Sequence, residues 1–159
     1  MTESALFFRP MTVEDISLVM QVENSVYQFP WSEQIFNDCI RVGYNCWIAS
    51  TNEDVVGHAV ISIAAGESHM LNLSIAKKHQ GMGYGKLFVA HLVEAAQQQD
   101  VETMHLEVRP SNLQAISCYN SSGFNEIGSR KNYYPAAEGR EDALLFARYI
   151  GTTSTTAKS

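Results

Sequence analysis

Gln80-Gly81-Met82-Gly83-Tyr84-Gly85-Lys86 lies between two stretches of different hydrophobic period, and that junction decides the fold class. Upstream, His69 to Ile75 reads as a strand. Downstream, Leu87, Phe88, Leu92, Val93, Ala95 and Ala96 recur at helical spacing, which predicts a long helix to about Gln99. A strand that feeds a helix through a glycine-rich turn belongs to an α/β protein. Small residues at such a junction let backbone N–H groups close on a phosphate. The helix start adds unsatisfied donors and the positive end of its dipole. A pyrophosphate is the natural ligand for Gly81 to Lys86. Two nucleotide motifs are excluded by spacing: a P-loop needs more widely separated glycines and a Ser or Thr after Lys, and the dinucleotide fingerprint needs a further glycine. A flexible strand-to-helix turn remains the plain alternative.

Toward the N-terminus, Leu6 to Arg9 reads as a short strand. Thr12, with Asp15 three residues on, is a helix start, and the helix should reach about Asn24. Ser32 caps a second helix through Ile40. Cys46 to Ser50 and Val55 to Ile63 form a hairpin around Asn52-Glu53-Asp54. Beyond the long helix, Thr103 to Val108 is a strand. Ser111 or Asn112 caps a helix to Ser122, with Gly123 as its C′ residue. Phe124 to Lys131 and Ala143 to Ile150 are closing strands. This order predicts a mixed central sheet of about six to seven strands flanked by about four helices, rather than a doubly wound one.

A chain of 159 residues suits one domain, here residues 1–151, with Thr152 to Ser159 as a polar, disordered tail. Hydrophobic residues make up 45%, an ordinary globular share. No apolar run is long enough for a membrane span, and Met1-Thr2-Glu3-Ser4 lacks the features of a signal peptide. The three cysteines, Cys39, Cys46 and Cys118, are odd in number and lack metal spacing. We therefore expect buried thiols in a reducing cytoplasm. Histidines 58, 69, 79, 91 and 105 show no ligand spacing, so no metal is expected. A formal charge of −6 disfavours direct nucleic-acid binding and suits a basic substrate.

Strand alternation in Thr103 to Val108 sends Met104, Leu106 and Val108 one way and His105 and Glu107 the other. Glu107 is thus set apart from the apolar row, as a solvated strand glutamate or a base. Leu106-Glu107-Val108-Arg109, then Ser111-Asn112, Tyr119 and Gly123-Phe124, follow the glycine loop at a fixed distance. Gln80-x-x-Gly83-x-Gly85 with these downstream residues resembles the coenzyme A signature of the GCN5-related N-acetyltransferases. Phe29-Pro30-Trp31-Ser32, Asn132-Tyr133-Tyr134-Pro135 and Gly139-Arg140-Glu141-Asp142-Ala143 resemble the bacterial branch of that family that acetylates the N-terminal alanine of a small-subunit ribosomal protein. The likeness runs from about Arg9 to Ile150.

The resemblance implies roles. Main-chain groups of Leu73, Ser74 and Ile75 would meet the acetyl-pantetheine arm of acetyl-coenzyme A (acetyl-CoA). Gly81, Met82, Gly83, Tyr84, Gly85 and Lys86 would cradle its pyrophosphate, and Asn112 would hydrogen-bond the same molecule. Relatives commonly carry arginine where this chain has Gly81, so one charge near the phosphates is missing here. Glu107 would be general base and Tyr119 general acid. Phe29, Trp31, Tyr133 and Tyr134 would line the substrate site, with Phe29-Pro30-Trp31 also readable as a hydrophobic staple. Glu138, Glu141 and Asp142, in a polar aromatic loop, would hold basic residues of a protein N-terminus or form only a solvated tip. Cys118, beside Tyr119, is expected to be structural. We expect a monomer or weak dimer. Another amine acceptor, such as a lysine, a polyamine or an antibiotic, and a non-catalytic coenzyme A-binding module are the competing functions.

Overall fold

A computed structural model describes residues 5–151; the expected tail lies outside the described residues. The chain forms two compact units, residues 5–62 with Leu71–Phe88, and Ile63–Met70 with residues 89–151. The strands are β1 (Phe7–Pro10), β2 (Asn45–Ser50), β3 (Val55–Ala64), β4 (Glu67–Ile75), β5 (Thr103–Val108), β6 (Asn125–Pro135) and β7 (Arg140–Tyr149). The helices are α1 (Ile16–Val26), α2 (Glu33–Val42), α3 (Tyr84–Gln97) and α4 (Leu113–Ser121). The sheet has seven strands in the order β1-β2-β3-β4-β5-β7-β6. The β4–β5 pair is parallel, whereas β1–β2, β2–β3, β5–β7 and β6–β7 are antiparallel. This is the mixed sheet and helix set that the sequence predicts.

In the first unit, local chemistry sets each boundary. The Asp15 carboxylate accepts the Thr12 backbone N–H at 2.8 Å and a forked pair of bonds from Arg9 on β1 at 2.7 and 2.9 Å. The first turn, Val13–Asp15, is 3-10 rather than α, so the helix proper starts at Ile16. Ser32 caps α2 as predicted, its hydroxyl accepting from Ile35 N–H at 3.3 Å. The core gathers Met11, Ile16 and Val19 with Phe36, Cys39, Cys46, Ile48 and Val60.

In the second unit, β5 alternates as expected: Met104, Leu106 and Val108 are buried, while His105 and Glu107 are partly exposed. The closing hairpin corrects the sequence reading. Tyr133, Tyr134, Glu141 and Asp142 are not in a loop. They lie on strands, because Tyr134 pairs with Glu141 and Pro135 with Arg140. The polar composition hides this extension, since the surrounding hairpin residues are solvent-facing. A bulge separates Arg130 from Tyr134, and Asn132 within it has φ of 55°.

Phe36 is fully buried, and truncating such a side chain leaves a cavity. Phe36→Ala should destabilise the protein by about 3–5 kcal/mol, read as a lower denaturant midpoint with little change in slope.

Candidate active site

The glycine loop follows a 3-10 turn at Lys77–His79. Gly81 and Gly83 both have φ of 82°, a region that side chains with a Cβ rarely enter. A Cβ built on either would meet nothing within 4 Å, so backbone conformation, not crowding, requires glycine. Gly83 starts α3: its carbonyl accepts the Leu87 N–H at 3.2 Å. The N–H groups of the next residues therefore have no partner within the helix. Gln80 turns back and donates to the Ile75 carbonyl at 2.9 Å, tying the loop to the end of β4. Open space, helix-start donors and Lys86 with no carboxylate between Ala76 and Val93 make this segment suit a phosphate.

Beside it, β4 is anchored by a buried polar cluster. Glu23, at the end of α1, is 1% exposed. Its carboxylate accepts from His58 Nε2 at 2.9 Å, Ser74 Oγ at 3.0 Å, Asn72 Nδ2 at 3.2 Å and the Trp31 backbone N–H at 3.0 Å. Burial works to raise the Glu23 pKa, but the bonds from His58, Trp31 and Ser74 outweigh it and leave it below the ordinary 4.5. The carboxylate is thus ionised and acts only as an acceptor, so His58 donates. The Tyr27 hydroxyl donates to the Leu73 carbonyl at 2.6 Å, and burial pushes its pKa up to about 12, keeping it a donor. The cluster holds the Tyr27–Trp31 segment, with the predicted substrate residues Phe29 and Trp31, against Leu73–Ser74. Trp31 also packs on Phe36, their rings 5.2 Å apart, while Phe29 is exposed.

In the second unit, Glu107 accepts a hydrogen bond of 2.6 Å from His69 on β4. Asn112 is the N-cap of α4, its Oδ1 accepting from Ala115 N–H at 3.2 Å. Tyr119 is buried in the last turn of α4 and is fixed by the way that helix ends. Phe124 N–H bonds back to the Tyr119 carbonyl at 3.0 Å and Gly123 N–H to that of Asn120 at 3.2 Å. This is a Schellman ending, with Gly123 left-handed at φ of 90°. The rings of Tyr119 and Phe124 stand edge to face, 6.0 Å apart.

The hairpin motifs are cross-tied. Arg140 donates to the carbonyls of Asn132 and Tyr133 at 2.8 and 2.9 Å, and Asp142 accepts the Asn132 N–H at 3.0 Å. Glu141 takes Arg109 at 3.1 Å and the Ser111 N–H at 3.0 Å, and Arg109 stacks over Tyr134 at 4.5 Å. Hydrogen bonds from Ser111, then Arg109, lower the Glu141 pKa. The carboxylates of Glu141 and Asp142 are therefore engaged within the hairpin and its neighbour loop. Among the described residues, no cluster of His, Cys, Asp or Glu is arranged to hold a metal.

Residues 13–124 match the model of the acetyltransferase (GNAT) family. An Escherichia coli (strain K12) enzyme named ribosomal protein bS18-alanine N-acetyltransferase is 34% identical over 133 residues, covering 84% of this chain and 90% of that enzyme. The chain belongs to the GNAT family. The crystal structure of the ribosomal-protein-S18-alanine N-acetyltransferase from Escherichia coli superposes with a TM-score of 0.86 at 31% identity, over 94% of this chain and 96% of that one. A Vibrio cholerae spermidine N-acetyltransferase chimera reaches a TM-score of 0.81 at only 14% identity, over 97% and 99%, and so shares the fold alone.

GNAT enzymes use acetyl-CoA as cosubstrate. Against that background, the residues that sequence reasoning missed are those that hold others. Glu23 falls on the apolar stripe of α1 with Ile16 and Val19, and His58 interrupts the run from Val55 to Ile61. A charged residue on a core stripe and a histidine inside a core strand are the signal that could have paired them. For His69 no local signal in the sequence points to Glu107, which is 38 residues away.

Removing the Glu23 carboxylate strands several buried donors at once. Glu23→Ala should cost about 3–5 kcal/mol, the usual penalty for breaking a buried pair. Because the folded-state pKa is depressed, this carboxylate's contribution is complete above its ordinary 4.5 and is lost as pH falls through the lower folded value. Denaturation at neutral and acid pH should show the parent losing stability over that window and Glu23→Gln losing less.

Proposed function

We propose that this chain moves an acetyl group from acetyl-CoA to the N-terminal alanine amine of a small-subunit ribosomal protein, by direct attack in the cytosol. The observation that carries this reading is the relationship to the Escherichia coli bS18 enzyme along nearly its whole length. The hairpin motifs support it, since they belong to one cross-tied element rather than to chance likenesses. The net negative charge suits a basic protein substrate.

Gly81 to Lys86 would hold the pyrophosphate and Asn112 would contribute a side-chain contact. Along Leu73, Ser74 and Ile75, the carbonyls of Leu73 and Ile75 already accept from Tyr27 and Gln80. The N–H groups are the reading's donors there, including one from Ile75 to the thioester oxygen. Glu107, directly or through a water, would take the amine proton, and Tyr119 would give its proton to the departing thiolate. An α-amine titrates near 7.7–8.0 and a lysine near 10.4, so freeing the α-amine costs about 3–4 kcal/mol less. A carboxylate base is adequate for the first and poorly matched to the second. Phe29, Trp31, Tyr133 and Tyr134 would form the walls of the substrate site.

Three measurements test this. Tandem mass spectrometry of small-subunit ribosomal proteins incubated with enzyme and acetyl-CoA should place the product on an N-terminal alanine; a lysine-only product would refute the substrate. Glu107→Gln should lower kcat by roughly 10²–10⁴-fold with acetyl-CoA affinity unchanged, and Tyr119→Phe should slow turnover at low to neutral pH, while Cys118→Ala stays near the parent rate. Gly83→Val should weaken acetyl-CoA binding by calorimetry in a folded protein, because a β-branched residue is strained at this φ.

A further inference from the structure

His69 and Glu107 form a pair whose geometry is not that of a casual surface contact. The β4–β5 register sets His69 opposite His105 and Glu67 opposite Thr103. Two pairs therefore share one register offset on one face: His69 with Glu107, and Glu67 with His105. They differ sharply. His105 Nε2 and Glu67 Oε1 are 3.8 Å apart, and the Glu67 side chain is 69% exposed. His69 Nε2 and Glu107 Oε1 are 2.6 Å apart, with side chains 34% and 12% exposed. The first pair shows what this sheet face produces by proximity alone. The second is a short hydrogen bond to a sheltered carboxylate.

We propose that His69 is a positioning residue for Glu107, resting on the reading of Glu107 as the amine-deprotonating base. His69 donates its Nε2–H to Oε1. That bond fixes the rotation of the carboxylate and leaves Oε2 to accept the proton. In the step itself an N–H bond of the substrate ammonium breaks and an O–H bond forms on Glu107, directly or through one water. His69 keeps its own proton throughout. Ionisable groups on this face include His105 on β5, Glu67 on β4, Tyr149 and Glu141 on β7 and Arg130 on β6, while the β7 residues directly in register with Glu107 and His105, Leu145 and Ala147, are apolar. Glu107 thus has His69 as its hydrogen-bonding imidazole on this face, and His105 points its own nitrogen toward Glu67.

The test uses the purified full chain with acetyl-CoA and a peptide bearing an N-terminal alanine. His69→Ala removes the donor; His69→Gln retains an N–H at similar reach. His69→Ala should lower kcat about tenfold, a part of the 10²–10⁴-fold that loss of a base costs, with the KM for acetyl-CoA unchanged. His69→Gln should restore most of the rate. A side chain that only stabilises the fold would lower the melting temperature and leave kcat at the parent value at temperatures where both proteins are folded. If His69→Ala keeps the parent kcat while Glu107→Gln is slow, the positioning role is wrong and the base assignment stands. If Glu107→Gln itself keeps the parent kcat, the base assignment falls and the role of His69 falls with it.

Discussion

A carboxylate withdrawn from water constrains the first unit more than any apolar contact does. Moving an ion out of solvent costs several kcal/mol unless its lone pairs are filled. Glu23 fills its own from a side chain on β3, two on β4 and a backbone N–H of the segment after α1. None of these partners can drift without leaving a charge under-bonded in a dry site, so the cluster specifies position as well as stability. An apolar side chain could pack there, but it could not dictate the seating of the Trp31 backbone. The segment carrying Phe29 and Trp31 and the β4 residues Asn72 and Ser74 are registered through one functional group.

The second unit treats its carboxylate differently. Glu107 is sheltered but not sealed, and its partner reaches water. As the proposed proton acceptor, Glu107 must turn over and needs an exit for its proton. A structural carboxylate such as Glu23 has no such need and sits where desolvation makes its hydrogen bonds strong. Environment, rather than residue type, separates the two glutamates. Tyr119, the proposed proton donor, is likewise placed by its surroundings. The Schellman ending at Gly123 and Phe124 fixes the residue three positions before the helix cap, so the local rule that stops α4 also holds the tyrosine.

Much of this was legible before any coordinates. The change of period across Gln80 to Lys86, the cap at Ser32, the cap at Asn112 and the glycine at 123 are local signals with local causes, and each stands where sequence reading puts it. The alternation in β5 singled out Glu107 for the same reason. What sequence concealed was long-range pairing. Glu23 meets His58 across 35 residues and His69 meets Glu107 across 38, distances over which no periodicity speaks. The far end of the hairpin was misread because β6 has no buried residue and β7 has none before Ala143. Without a buried row there, Tyr133-Tyr134-Pro135 shows turn composition and not the alternation that marks a strand.

That misreading bears on how one fold serves different amines. The fold is shared with a spermidine N-acetyltransferase chimera of only 14% identity, so the fold alone does not choose the acceptor. In the proposed function the hairpin takes part in that choice, and it does so as a cross-tied element. A free loop carrying Glu141 and Asp142 would present carboxylates to any cation. In the hairpin both are engaged, Glu141 by Arg109 and Ser111, and one oxygen of the exposed Asp142 by the Asn132 N–H. The stacked Arg109 and Tyr134 and the exposed ring of Tyr133 are left to present a surface. Discrimination by such a surface works through fit and through the groups it leaves unpaired, which rejects wrong partners more sharply than attraction alone.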